Sequence, residues 1–153
     1  MAGWDHVHNL MVELGETMEL PQVSEYAGEN VWHLVTDAGS IEVDYDDAGD
    51  RILLTMPVGA PDPTVLEPVY EALLLHNGAL PAAGGVCAGL EEPEGEIVLM
   101  QEHRATGLDG TGLRAMVEEL MASAGAWRER LRDIRAAGAH DGAGGLRPDL
   151  LRA

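Results

Sequence analysis

Residues 63–78 constrain the fold most, because their pattern predicts a helix with well-marked ends and two apolar faces. Thr64 and Glu67 have the spacing of a capping box at the start of this helix. The alternative start has Glu67 as the N-cap and Pro68 in the first helical position. Residues 77–78 (Asn-Gly) predict that the helix ends through a left-handed residue.

This helix carries more apolar side chains than a single sheet can cover. One stripe holds Val69, Tyr70, Leu73 and Leu74, and Ala72 and Leu75 lie beside it. A helix in a small domain covers one sheet, so a second apolar face needs a second partner. Because most oligomers are symmetric dimers, a second copy of the chain is the simplest partner. The alternative is a helix that one domain encloses completely.

The remaining pattern predicts one α+β domain at residues 1–136. Apolar residues with a helical period predict further helices at 4–14 and 108–134. Strand-like runs lie at 31–36, 41–46, 51–58, 85–90 and 96–100. Residues 15–30 are predicted to form a loop. The order is therefore α-βββ-α-ββ-α, an antiparallel sheet with helices against it, followed by a flexible Gly- and Ala-rich tail at 137–153.

Alternation along the strands predicts which side chains face the core. The core face carries Ile41, Val43, Tyr45, Ile52, Leu54, Met56 and Val58. Trp32, Leu34 and Leu53 are predicted to lie on the opposite face. An exposed apolar patch of that kind marks a place where another chain docks.

The charge of the chain is strongly uneven. The formal net charge is −18, and all nine basic residues are Arg. Residues 1–102 carry a formal −19, and residues 103–153 carry +1. Nucleic acid and anionic membrane surfaces repel such a chain, whereas a basic protein partner suits it. The alternative explanation is that the acidic residues only maintain solubility.

No group of residues predicts catalysis. No Ser lies in Gly-x-Ser-x-Gly, and the small neighbours of Cys87 are typical of a packed strand. His6 and His8 fall on different sides of a helix and cannot share a metal ion. Residues 44–50 only weakly resemble a calcium loop, because Thr55 stands where the bidentate Glu is needed. We therefore predict no catalytic residue, no metal ion and no cofactor.

Two observations favour a cytoplasmic location. The first residues show neither the basic nor the apolar segment of a secretory signal. Cys87 is the single cysteine and cannot form an internal disulfide, which fits a reducing compartment. No apolar run approaches the roughly 20 residues of a membrane span, so no membrane partner is predicted.

Three segments resemble one known family. Residues 73–77 (Leu-Leu-Leu-His-Asn), residues 95–100 (Gly-Glu-Ile-Val-Leu-Met) and the last helix with Trp127 and Arg128 are similar to the second half of class I type III secretion chaperones, the Tir-chaperone family. The likeness covers residues 4–135. It implies a cytoplasmic, non-enzymatic homodimer without a cofactor. Such a dimer binds the N-terminal segment of a secreted effector in extended form and keeps it secretion-competent.

The resemblance also implies two surfaces. The dimer interface would contain Val69, Ala72, Leu73, Leu75, Val86 and Ala88. The effector-binding surface would contain Val7, Leu10, Met11, Trp32, Leu34 and Leu53. Two alternatives remain open: a small acidic hydrolase or ligand-binding protein, which a deep closed pocket would identify, and a dimeric regulatory adaptor.

Overall fold

The computed structural model describes residues 3–26, 28–80, 85–93 and 95–143. The helices are α1 (Trp4–Thr17), α2 (Leu66–Gly78) and α3 (Gly110–Ala143), and a short 3-10 helix, Pro63–Val65, leads into α2. The strands are β1 (Gln22–Tyr26), β2 (Val31–Thr36), β3 (Gly39–Asp46), β4 (Arg51–Gly59), β5 (Cys87–Leu90) and β6 (Ile97–Arg104). Within these residues the strands form one antiparallel sheet in the order β1-β2-β3-β4-β6-β5, which confirms the predicted fold class.

The helices pack against one face of the sheet. Helix α3 contacts β4 and β6, α1 contacts β1, and α2 contacts β5. The largest fully buried side chains include Met11, Leu14, Trp32, Leu34, Ile41, Ile52, Leu54, Met56, Ile97, Leu99, Leu113 and Leu120. Removing this apolar surface from water is the main driving force for the fold.

Strand register decides which face each side chain takes. Directly opposite residues of antiparallel strands point to the same face. Trp32 lies opposite Val43. Leu34 lies opposite Ile41. Trp32 and Leu34 therefore both join the core, and they are 1% and 0% exposed. The prediction that Trp32 and Leu34 lie opposite the core is therefore wrong, whereas Leu53 does lie on the face away from the helices.

Residues 15–30 are not the predicted loop. Helix α1 continues to Thr17, whose hydroxyl donates back to the helix, and β1 then pairs with β2. Gly15 allows the helix to approach this strand, because a Cβ at that position would lie 2.9 Å from Cγ2 of Val23. Val23 in turn lies opposite Leu34. These stabilising contacts are tertiary, so the segment Gln-Val-Ser-Glu-Tyr shows little local sign of a strand.

Neither predicted start of α2 is correct. The helix begins at Leu66, directly after the 3-10 helix, and Pro68 takes its third position. The carboxylate of Asp62 caps the 3-10 helix instead, accepting hydrogen bonds from the hydroxyl and the backbone N–H of Thr64 at 2.7 and 2.9 Å. These bonds, with the guanidinium of Arg135 nearby, hold the pKa of Asp62 below its usual range.

Helix α3 is longer than the sequence predicts. It runs to Ala143 and so includes the first part of the predicted tail at 137–153. Gly138 packs so closely against Val65 that an added Cβ would overlap the valine side chain. Gly138, one of the residues that suggested a tail, therefore allows a close helix contact. Residues 144–153 lie outside the described residues.

Arg128 of α3 ties two distant backbone segments together. Its Nη1 donates to the carbonyl of Ala38 at 2.8 Å, in the turn between β2 and β3. Nη2 and Nε donate to the carbonyls of Pro57 and Val58 at 3.2 and 3.3 Å, where the register between β4 and β6 shifts. A planar guanidinium can reach all three acceptors at once, which a lysine ammonium cannot do.

We expect the replacement Arg128→Lys to lower the free energy of unfolding by about 1–3 kcal/mol, because carbonyls that lose their donors stay partly buried. Urea unfolding followed by circular dichroism measures the change. Arg132→Lys is the matched control, since Arg132 is exposed on the same helix. We expect the control to change the free energy by less than about 0.5 kcal/mol. Equal effects of the two replacements would contradict the role of Arg128.

Candidate functional site

An open groove of about 560 Å³ lies between α1 and β1. Its walls and floor include Met11, Val12 and Glu16 from α1, and Val23, Glu25 and Trp32 from the sheet. Met11 and Trp32 are each 1% exposed and form an apolar floor. Val12 is 48% exposed and forms part of one wall. The groove can therefore accept apolar side chains from a partner.

One end of the groove is aromatic and acidic. Nδ1 of His8 lies 2.9 Å from Oε2 of Glu25. The ring of Trp4 stacks on His8, with ring centroids 4.7 Å apart and planes 20° apart, and it lies 6.4 Å from the ring of Trp32. Glu16 adds a second carboxylate to the lining. None of the lining residues is Ser, Thr, Cys, Arg or Lys, so the groove offers neither a hydroxyl nor a thiol nucleophile.

The two edges of the sheet differ in how they are occupied. At the β5 edge, the side chain of Asn77 donates to the carbonyl of Ala88 at 2.7 Å and accepts from its N–H at 2.9 Å. His76 lies 2.7 Å from the carbonyl of Val86 and packs edge-on against Trp127. The end of α2 thus covers the β5 edge. The other edge is β1, directly beside the groove.

Asn77 acts here through its side chain and not through the predicted left-handed turn. Helix α2 does end at Gly78, as predicted, but Gly78 does not have a positive φ, and Ala79 follows with a φ of −90°. The amide of Asn77 has one donor and one acceptor group, which match the backbone of Ala88. The Asn of the Leu-Leu-x-x-Asn pattern therefore joins α2 to β5.

We expect Asn77→Asp to lower the free energy of unfolding by about 1–3 kcal/mol, since a carboxylate cannot donate to the carbonyl of Ala88 and repels it. Urea unfolding measures this loss. Asn9→Asp is a matched control, because Asn9 is exposed on α1 and the charge change is the same. If both variants unfold at the same urea concentration, the side-chain bonds of Asn77 do not stabilise β5.

The outward face of α2 presents two neighbouring leucines. Leu74 is 74% exposed and Leu75 is 61% exposed, whereas Val69, Ala72 and Leu73 are buried. Exposed single leucines are common on proteins, but two adjacent ones on one helix form an apolar surface that has no partner among the described residues. The part of the chain that the structure describes does not enclose α2 completely.

The described residues offer no site for a metal ion and no membrane span. No three of their His, Cys, Asp and Glu side chains are placed to hold a metal ion. In the segment that weakly resembles a calcium loop, the hydroxyl of Tyr45 donates to Asp47 at 3.0 Å. Burial, together with that hydrogen bond, raises the pKa of Tyr45 to about 12. None of the described helices is both long enough and apolar enough to cross a bilayer.

Comparison with known protein families shows to which family the chain belongs. The profile of the Tir chaperone protein (CesT) family matches residues 9–128. The chain belongs to the Tir chaperone (CesT) family. The resemblance inferred from the sequence is therefore confirmed. The match includes α1 from residue 9 onwards, the whole sheet and α2, and therefore most of the groove and both exposed leucines of this CesT-family chain.

Solved structures share the fold. A chain of the ExsC–ExsE complex is 20% identical, with a TM-score of 0.72 over 86% of this chain and 97% of that one. A chain of the HopA1–SchA chaperone–effector complex is 22% identical, with a TM-score of 0.63 over 81% and 94%. YbjN from E. coli, a putative transcription regulator, is 16% identical, with a TM-score of 0.57 over 92% and 94%. A comparison with curated protein sequences finds no significant match.

The residues predicted to bind the effector of this CesT-family chain do not form one exposed surface. Val7, Leu10, Met11, Trp32 and Leu34 are all 5% exposed or less. Of these, Met11 and Trp32 line the groove floor, and the others lie within the core. Leu53 lies on the opposite face of the sheet. The sequence analysis missed Val12 and Val23, because it assigned Val12 no role and did not recognise β1.

The predicted dimer residues separate in a similar way. Val69, Ala72, Leu73, Val86 and Ala88 are buried within the single chain of this family member. Each of them is 7% exposed or less, so they leave little surface for a second copy to contact. Leu75 is exposed, as an interface residue must be, and Leu74 was missed because it was assigned to the buried stripe. The apolar residues that α2 leaves uncovered are thus Leu74 and Leu75.

Proposed function

We propose that this chain is a cytoplasmic, non-enzymatic chaperone that binds the N-terminal segment of a secreted effector in extended form and keeps it secretion-competent. The observation that carries the proposal is an open apolar groove beside a sheet edge, in a chain of a chaperone family. The solved chaperone–effector complex that shares the fold adds support. The open shape of the groove and the lack of a nucleophile in its lining favour a binding role over hydrolysis.

The edge of β1 explains why the guest would be extended. A segment that adds to a sheet edge gains main-chain hydrogen bonds, and its alternate side chains enter pockets on one face. Here the main-chain partner is β1, and the pocket is the groove between β1 and α1. The β5 edge is a poorer place for a guest strand to pair, since the side chains of Asn77 and His76 already contact its backbone. A guest held in this way stays unfolded and needs no cofactor.

The proposed assembly is a homodimer that meets through α2. Leu74 and Leu75 supply an apolar centre on the outward face of that helix. A two-fold axis beside α2 would place the same leucines of two copies against each other. The groove lies on α1 and β1, so each copy keeps its own groove available.

Affinity capture from the source cells tests the chaperone proposal. Tagged wild-type protein and the variant Val12→Gln, which makes the groove wall polar but preserves its charge, are compared by quantitative mass spectrometry. We expect a secreted protein that the wild type retains and the variant loses. Its N-terminal segment alone should bind, and deleting the chaperone gene should reduce its secretion. A partner that binds both forms equally, or only through a folded domain, would contradict the proposal.

A further inference from the structure

The lining of the groove favours a guest segment with more specific properties than an apolar side chain alone. We propose that it selects segments in which an apolar side chain is followed or preceded two positions away by a basic one, with the basic side chain lying against Glu25 and Trp4. This inference rests on the proposed function, because it describes the segment that the same groove would bind. Charge, aromatic stacking and strand register support it independently.

The charge of the groove is negative and unbalanced by any Arg or Lys in its lining. Glu25 and Glu16 both line it, in a chain with a net charge of −18. The Glu25 side chain is 27% exposed, with His8 beside one of its oxygens. A carboxylate has two acceptor oxygens, and Glu25 can therefore accept hydrogen bonds from a guanidinium or an ammonium. An acidic guest would be repelled.

The aromatic side chains fix the position of this charge. Trp4 stacks on His8 at 4.7 Å, and His8 lies 2.9 Å from Glu25, so the three side chains form one contiguous row. Trp4 is 36% exposed. A cation near the face of a Trp ring is attracted by the ring quadrupole, and Arg is the usual partner. The row therefore places an exposed aromatic ring beside the His8–Glu25 pair, at the end of the groove where a cation would meet the carboxylate.

The strand register sets the spacing. Val23 and Glu25 lie two residues apart on β1, and both side chains line the groove. Side chains two residues apart in a strand project from the same face and lie about 7 Å from each other. A guest strand paired with β1 would place two of its own alternate residues opposite Val23 and Glu25. The residue opposite Val23 meets apolar surface, and the one opposite Glu25 meets the carboxylate.

Selection from a random dodecapeptide library displayed on phage tests this inference. With wild-type protein, we expect enriched peptides to carry an apolar residue and an Arg or Lys two positions apart. With Glu25→Gln, the apolar preference should remain and the basic preference should disappear. Glu129→Gln, an exposed acid on α3 with the same charge change, should behave like the wild type.

An enriched peptide is then synthesised with its Arg unchanged or replaced by citrulline, which keeps the shape and removes the charge. We expect citrulline to weaken binding to the wild type roughly three- to tenfold, as for a partly exposed ion pair with an added ring contact. Binding to Glu25→Gln should not depend on the replacement.

Two negative results can be told apart. Enriched peptides that lack the basic residue, or that bind equally with Arg and citrulline, would overturn this inference and leave the groove as an apolar guest site. Peptides that bind the wild type and Val12→Gln equally well would bind outside the groove. That second result would contradict the proposed function itself.

Discussion

Replacing both Leu74 and Leu75 with Glu is expected to convert the proposed dimer into folded monomers. The two leucines are 74% and 61% exposed in the single chain, so the replacements leave the core intact. In the dimer they would place four carboxylates at an apolar centre of an already acidic protein. Burying four Leu side chains contributes about 6–12 kcal/mol. Losing even half of that raises Kd more than about 100-fold.

Light scattering across the micromolar range measures the mass, and circular dichroism confirms that the variant is folded. Glu71→Gln is the control, because Glu71 is exposed on the same helix. Leu73→Glu is expected to unfold the chain instead, since Leu73 is only 7% exposed. If the Leu74/Leu75 variant stays dimeric, the interface does not lie on α2. A wild-type protein with the mass of one protomer would contradict the dimer altogether.

The second large effect concerns Trp32. The replacement Trp32→Ala is expected to lower the free energy of unfolding by about 3–5 kcal/mol, because the side chain is 1% exposed and its removal leaves a cavity. Such a loss is a large fraction of the 5–15 kcal/mol that is typical of a domain. Leu53→Ala, on the opposite face and only half-buried, should cost clearly less.

Guanidinium unfolding of the two variants tests on which face of the sheet Trp32 lies. The strand register places it in the core, whereas the sequence predicted the opposite face. The sequence assigned Trp32 and Leu53 to one exposed surface, which predicts small and similar losses for both. A loss of less than about 1 kcal/mol for Trp32→Ala would show that this side chain does not belong to the core.

Clear periodicity allowed most of the elements to be predicted. Ile41, Val43 and Tyr45 alternate with acidic residues, and the structure buries them as expected. The apolar residues of α3, including Leu113, Val117 and Leu120, hold a helical period and are all buried. These patterns repeat over many residues, so local errors do not alter the fold class or the family.

Features that depend on one distant contact could not be predicted. Strand β1 is recognisable only through its pairing with β2 and the close approach of Gly15, and without it neither the groove nor its sheet edge was visible. The face of Trp32 depends on its pairing with Val43, not on its own strand. On α2, the buried stripe is rotated slightly from the predicted one, so Ala72 is buried and Leu74 is exposed. Both residues are apolar, so their side chains alone could not show which of them faces the core.

Hydrogen–deuterium exchange of the chaperone, with and without the N-terminal segment of its captured partner, tests the central claim most directly. A guest that adds to the sheet edge should slow exchange of backbone amides in β1, residues Gln22–Tyr26. Exchange in β5, whose edge α2 already covers, should not change. Protection confined to β5, α2 or the outer face of the sheet, with β1 unaffected, would contradict the account.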